Sequence, residues 1–92
     1  MTLAELEVRL SRWYPAKYGT DKVDLVRTAL KIAEESGEIA KAILKGDNEN
    51  AAEEAVDVLF CLINLVRGLN TNLMEQADKK LPVIEKRLKD KR

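Results

Sequence analysis

Four stretches with the apolar spacing of α-helices account for almost every residue, and this pattern constrains the fold more than any other feature of the chain. No run alternates apolar and polar residues over the length of a β-strand. Short polar breaks separate the four stretches, so that consecutive helices become neighbours. The pattern therefore predicts an all-α fold, a four-helix bundle with antiparallel central helices.

Capping and stop signals give the expected bounds of these helices. Thr2 and Glu5 have the spacing of a capping box and begin the first helix, which is expected to end at about Tyr14, before a proline. Pro82 removes a backbone hydrogen bond, so a kink or short break is expected at about Leu81. The other helices are expected from about Asp21 to Lys45, from about Asn50 to Leu69, and from Asn72 onward.

Length and charge bound the class of protein. The 92 residues predict a single domain, 1–92, whose small core gains from oligomerisation. Sixteen Lys and Arg balance sixteen Asp and Glu, which disfavours a nucleic-acid partner. The lone Cys61 lies in an apolar run and is expected to be a core residue of a cytoplasmic protein. That run is too short and too interrupted for a membrane span, so no membrane association is expected.

The second helix has two apolar stripes, which predicts burial on two sides. One stripe combines small residues and leucines, and the other consists of larger aliphatic residues. In a chain of this size one stripe can pack internally, and the other is best covered by a second copy. A homo-oligomer is therefore expected, either a dimer or a tetramer. The stripes are Val26, Ala29, Leu30, Ala33, Gly37, Ala40 and Leu44, and Leu25, Ile32, Ile39 and Ile43.

Acidic residues lie within the second and third helices. Glu34, Glu35 and Glu38 share one strip of the second helix. On the third, Glu54 and Asp57 are three residues apart within an otherwise apolar cylinder, where a solvated-face explanation of Asp57 fails. Folding the two helices together about residues 47 and 48 is expected to bring Glu38 level with Asp57 and Glu35 about one turn away. The two acidic pairs then meet.

Electrostatic repulsion among these clustered carboxylates suggests that they bind a cation. Two unit charges about 6 Å apart repel by roughly 3 kcal/mol at an effective dielectric constant of about 20, so four carboxylates could cost well over about 10 kcal/mol. A hard divalent cation offsets this cost, and oxygen ligands without histidine favour Mg²⁺ or Mn²⁺. Mg²⁺ often completes its shell with substrate phosphates. A phosphorylated substrate is expected, although acids in a chain that is 35% charged are more often simply solvated.

The segments "EESGE" and "EAVD", with "KGD" between them, resemble the EExxE and ExxD motifs of the MazG-like all-α nucleoside triphosphate pyrophosphohydrolases. The likeness covers residues 13–87. It implies Mg²⁺-dependent cleavage of a nucleoside triphosphate between the α and β phosphates, in which the metal neutralises phosphate oxygens and activates water. The products are a nucleoside monophosphate and pyrophosphate, in the clearance of unwanted nucleotides.

The resemblance also implies roles for individual residues. The metal ligands are Glu35, Glu38, Glu54 and Asp57. Glu35 and Glu38 are also catalytic candidates, together with Glu34 as a further ligand or as a base for the attacking water. The candidate substrate contacts are Trp13 near the base, Asn64 on the polar stripe of the third helix, and Lys80 and Arg87 near the phosphates. Ile84 replaces an asparagine common in the family, which puts the nucleotide preference and full activity in question.

Two other interpretations stay open. A phosphoribosyl-ATP pyrophosphohydrolase of histidine biosynthesis shares the fold, the acids and the type of reaction. A protein of another class, a non-catalytic helical module, could instead use the acids for metal-stabilised structure, nucleotide binding or inter-subunit ion pairs. The departure at Ile84 gives weight to the module.

Overall fold

The computed structural model describes residues 1–91, which form four α-helices and no β-strand, and the predicted all-α class is confirmed. Among these residues no helix has the length and apolar character to cross a bilayer. The helices are α1 (Leu3–Tyr18), α2 (Leu25–Leu44), α3 (Asn48–Gly68) and α4 (Leu73–Asp90).

Local signals set most helix ends. The Thr2 hydroxyl accepts a hydrogen bond from the Glu5 backbone N–H at 3.1 Å, and the Glu5 carboxylate accepts from Thr2 in return, so the capping box is confirmed. Asn72 caps α4 in the predicted way, accepting from the Glu75 N–H at 2.9 Å. The expected start of α2 at Asp21 is four residues early, because Asp24 provides the cap and Leu25 is the first helical residue.

The predicted end of α1 before Pro15 is wrong, and so is a break in α4 at Pro82, whereas the expected kink at about Leu81 stays a prediction. α1 continues through Pro15 to Tyr18, and it ends where Gly19 adopts a left-handed backbone with φ of 72° and donates its N–H to the Pro15 carbonyl. A proline costs one backbone hydrogen bond, but the turns on either side keep theirs. For the same reason the helix assignment runs unbroken through Pro82 in α4.

The core lies between α2 and α3, with α1 packed on α3. The connector between α2 and α3 is only three residues long, and Gly46 with φ of 74° makes its turn, so the two helices form an antiparallel hairpin. The buried apolar residues come from α1, the α1–α2 connector and the hairpin. They are Leu10, Tyr14, Val23, Ala42 and Ile63.

Apolar surface remains uncovered on two helices. The small-residue stripe of α2 faces outward, with Val26, Leu30 and Leu44 exposed by 72%, 66% and 88%. Gly37 on this stripe has no neighbour within 4 Å of a built Cβ, so the expected close helix approach at Gly37 is wrong within one chain. α4 contains no buried residue. One chain therefore leaves the outer stripe of α2 and the apolar face of α4 uncovered.

Gly68 marks the close approach that the chain does contain. A Cβ at this position would lie 2.7 Å from Val23 Cβ and 2.9 Å from Leu25 Cδ2. We expect Gly68→Ala to lower the free energy of unfolding by about 1–3 kcal/mol through overpacking, and Gly68→Ser to lower it further. Thermal unfolding followed by circular dichroism measures the effect. An unchanged or raised Tm, as for alanine at an open helical glycine, would contradict it.

Candidate functional site

Three carboxylates converge on the hairpin. Glu35 from α2 and Glu54 and Asp57 from α3 each place one carboxylate oxygen within 4.8 Å of the other two. Glu35 and Glu54 are partly buried, whereas Asp57 is exposed, so the expectation that Asp57 is buried is wrong for one chain. These three residues are called the acidic cluster below.

The register of the hairpin differs from the expected one. Glu35 reaches Asp57, and Glu38 lies outside the acidic cluster although its charge acts on Glu54. Glu35 takes the place beside Asp57 that was expected for Glu38, because α2 ends one residue and α3 begins two residues earlier than predicted, around a tight turn at Gly46. Glu34 points elsewhere: it is exposed and lines a shallow depression beside Leu30 and Lys31.

The close carboxylates of the acidic cluster change the pKa of Glu54. A hydrogen bond with Glu35 raises the pKa of Glu54 from 4.5 to about 7, and partial burial and the charges of Glu35, Asp57 and Glu38 act in the same direction. The proton on Glu54 therefore holds together carboxylates that would otherwise repel. A divalent cation can replace that proton, and the all-oxygen donor set fits Mg²⁺ or Mn²⁺.

This shift predicts opposite pH dependences for stability and for metal affinity. Without metal, the native state binds the extra proton between pH 4.5 and about 7, so the free energy of unfolding contributed by Glu54 falls as the pH rises through that window. Metal binding releases the proton, so the apparent Mg²⁺ affinity should fall about tenfold from pH 8 to pH 6. Calorimetric titration with Mg²⁺ at several pH values measures this affinity. A pH-independent affinity would contradict proton release from Glu54.

Lys31 is a site residue that the sequence analysis missed. Its Nζ lies 3.7 Å from Glu35 Oε1, and the Glu35 side chain is only 13% exposed. The ammonium group holds the carboxylate in place, although an ion pair with a half-exposed lysine adds little stability. The sequence does contain a signal for this ion pair, because Lys31 and Glu35 are four residues apart on one helix.

The acidic cluster opens into a cavity of about 930 Å³ between α1, α2 and α3. Glu35 and Asp57 lie in its wall, Asn64 lies farther along α3, and Trp13 and Phe60 contribute aromatic surface. Basic side chains complete the lining, which gives the cavity acidic, aromatic and cationic parts. The basic residues are Arg9, Arg12, Arg27 and Lys31. Sequence reasoning missed the arginines because no spacing links α1 to the start of α2.

Aromatic packing shapes the wall near Trp13. The Trp13 and Tyr18 rings meet edge to face at a centroid distance of 5.9 Å, and Tyr14 and Tyr18 lie 4.7 Å apart. Tyr14 is buried, whereas Trp13 remains 45% exposed on the cavity side. Packing explains both tyrosines, and the Trp13 indole, with Lys17 Nζ 5.8 Å from its ring centre, still lines the cavity.

Cys61 also lines the cavity, but it is not reactive there. Burial, followed by the nearby charge of Glu35, raises the pKa of the Cys61 thiol above 9.0. The thiol is therefore neutral at physiological pH, when it is a poor nucleophile and metal ligand. Its expected role as a small packing residue agrees with this partly buried position.

Lys80 and Arg87 lie away from this cavity within one chain. Both are exposed on α4, which makes little contact with the other helices. The structure thus brings Trp13, Asn64 and the acidic cluster together and leaves the two cations of α4 apart.

The family comparison matches residues 4–79 to phosphoribosyl-ATP pyrophosphohydrolase. The chain belongs to the phosphoribosyl-ATP pyrophosphohydrolase family. This family is a member of the MazG-like all-α nucleotide pyrophosphohydrolase superfamily, so the resemblance is confirmed at that level, and the family indicates a pyrophosphohydrolase, a hydrolase of phosphoric anhydrides. Comparisons with curated proteins and with solved structures find no match. The matched residues include all of the candidate site acids, from Glu34 to Asp57, and end just before Lys80.

Proposed function

We propose that the protein is a Mg²⁺-dependent pyrophosphohydrolase that cleaves phosphoribosyl-ATP between its α and β phosphates, as in histidine biosynthesis. The family match makes this substrate the first choice. The observation that carries the proposal is the convergence of Glu35, Glu54 and Asp57 at a cavity that also has aromatic and cationic walls. The cationic side chains suit the phosphates of a nucleotide, the aromatic surface suits its base, and the carboxylates suit a catalytic metal ion.

The acidic cluster would hold the metal. Glu38 lies outside the cluster, about one helical turn from Glu35, and would be a further ligand. When bound, Mg²⁺ supplies charge neutralisation of the phosphate oxygens and a more acidic water. Glu35 is paired with Lys31 and has a carboxylate oxygen within 4.8 Å of both other acids, so we assign it a central place in the set. Glu34 lines the separate depression beside Leu30 and Lys31, so its predicted role as a base or additional ligand is not part of this proposal. Arg27 and Lys31 supply positive charge on the same side of the cavity as Glu35.

A nucleoside triphosphate without the second ribose is the other candidate substrate, and Trp13 is compatible with it. An exposed indole at the cavity can stack on the base of any nucleotide, which suits the clearance of unwanted nucleoside triphosphates. The "EESGE" and "EAVD" segments fit both substrates.

The test is pyrophosphate release from phosphoribosyl-ATP and from a panel of standard and modified nucleoside triphosphates, with Mg²⁺, with Mn²⁺ and with chelator. The best substrate decides between the two enzyme functions. The absence of release from folded protein with every substrate would instead favour a non-catalytic module.

We also propose that the protein is a homo-oligomer, with a dimer as its smallest unit, joined through the uncovered stripes of α2 and α4. Both stripes follow the alternating three- and four-residue spacing of packed helices. On α4 the exposed members include Met74, Leu81, Ile84 and Leu88, with exposures of 46–61%. Leaving both stripes in water is costly, and a second copy presents the same surfaces.

Packing α4 of one chain against a second chain would also bring Lys80 and Arg87 close to the second chain. Lys80 and Arg87 are seven residues apart and directly precede Leu81 and Leu88, so both lie along one edge of the apolar stripe. A helix docked by that stripe carries both charges along the interface, where they can reach the phosphates in the cavity of the other chain. No nucleic-acid or membrane partner is expected, and the cytoplasm remains the proposed compartment.

A further inference from the structure

Asn64 is a buried polar side chain in the wall of the cavity, with 7% of its surface exposed. It lies seven residues beyond Asp57 on α3, which places it about 10 Å farther along the helix axis. Burying a side-chain amide is costly unless its hydrogen-bonding groups find partners. The direction in which this amide points therefore has a physical cause.

Arg67 determines that direction. Its Nη2 donates a hydrogen bond to Asn64 Oδ1 at 3.2 Å. A guanidinium group carries donors and no acceptor, so the amide atom that faces it has to be the oxygen. Among residues 1–91 the Asn64 side chain makes no other hydrogen bond. The amide nitrogen, Nδ2, is thereby left as a donor for whatever occupies the cavity.

Arg67 is itself held by aromatic packing rather than by an acid. Its guanidinium carbon lies 5.0 Å from the centre of the Tyr14 ring, a cation–π contact with a buried residue. The Tyr14 hydroxyl accepts a hydrogen bond from the Asp24 backbone N–H at 3.3 Å, which fixes the ring between α1 and the start of α2. In the described part of the chain no carboxylate pairs with Arg67, and its Nε is buried without a hydrogen bond. Nothing else competes for the group that holds Asn64.

We infer that Arg67 is a positioning residue that orients Asn64, so that Nδ2 donates to an acceptor on the nucleoside part of the substrate. This inference rests on the proposed nucleotide-binding function of the cavity. The acidic cluster occupies the phosphate end, and Asn64 lies about two turns away from Asp57 beside the aromatic wall, where a nucleoside belongs. A ring nitrogen, a carbonyl or a ribose oxygen satisfies the donor, whereas an amino group at the same place would leave two donors facing each other.

The test uses AMP as the probe and the Asn64 amide as the reporter. In ¹⁵N-labelled protein the side-chain NH₂ signals of Asn64 are identified by their loss in Asn64→Leu. We expect these signals to shift when AMP is added. We expect Arg67→Met to weaken AMP binding about tenfold, because the amide can then turn away, and Arg67→Lys to recover part of the loss. Arg12→Met removes the same charge from the cavity wall and should leave the Asn64 signals of the free protein in place.

Three results would overturn the inference: no AMP binding, AMP binding without a shift of the Asn64 amide, or equal AMP affinity in folded Arg67→Met and wild type. Circular dichroism establishes that each variant folds. Pyrophosphate release is measured separately on the same proteins. An AMP-responsive Asn64 in a protein that hydrolyses no substrate would refute the proposed reaction and keep this inference, and an active enzyme with a silent Asn64 would do the reverse.

Discussion

Glu35→Gln is expected to lower kcat/KM for pyrophosphate release about a thousandfold or more, because it removes the carboxylate that α2 supplies within 4.8 Å of Glu54 and Asp57. The fold should persist, since the substitution also removes one of several repelling charges, and Tm without metal should stay level or rise. The stabilisation that Mg²⁺ gives to the wild type should be lost. Steady-state kinetics and thermal unfolding with and without Mg²⁺ measure the three effects.

Glu53→Gln is the matched control. Glu53 is the sequence neighbour of Glu54 and is exposed outside the acidic cluster, so this variant loses the same charge and should keep activity within about twofold. If Glu35→Gln retains activity and Mg²⁺ response, the acidic cluster is not the metal site. If both variants lose activity equally, net charge rather than ligand geometry is responsible.

Mixing two inactive variants should restore about a quarter of wild-type activity, if α4 of one chain completes the cavity of another. One variant is Glu35→Gln, and the other combines Lys80→Ala with Arg87→Ala. In a randomly mixed dimer population half of the dimers contain one chain of each kind. Each such dimer has one site with an intact acidic cluster and intact cations, so half of its sites work. Activity is measured after the chains are mixed and allowed to exchange.

The outcome separates three arrangements. Recovery near a quarter supports a site shared between chains. Full activity of Lys80→Ala/Arg87→Ala by itself would show that neither cation is needed, and two inactive variants that never complement each other would show that each chain builds its whole site. Leu81→Lys on the α4 stripe is the companion variant: it should shift the oligomer towards monomer in analytical ultracentrifugation.

Much of the fold follows from local sequence signals because those signals act within a few residues. The capping box at Thr2, the asparagine cap at Asn72 and the glycine stop at Gly46 all operate as predicted. The helix end expected at Pro15 and the break expected at Pro82 were wrong for the opposite reason: each proline carries a local penalty, but the hydrogen bonds around it maintain the helix.

The sequence by itself determined that the chain is all-α and that acids from two helices meet, since periodicity and charge spacing are properties of neighbouring residues. Only the tertiary structure decided which acids meet. Because α2 ends one residue and α3 begins two residues earlier than predicted, the pairing shifts by three residues and puts Glu35 rather than Glu38 with Asp57, and no local signal reports so small a shift. The contacts of Lys31 and Arg67 could not be predicted either, because a side chain's hydrogen-bond partner depends on packing between helices and on the rotamer that packing allows.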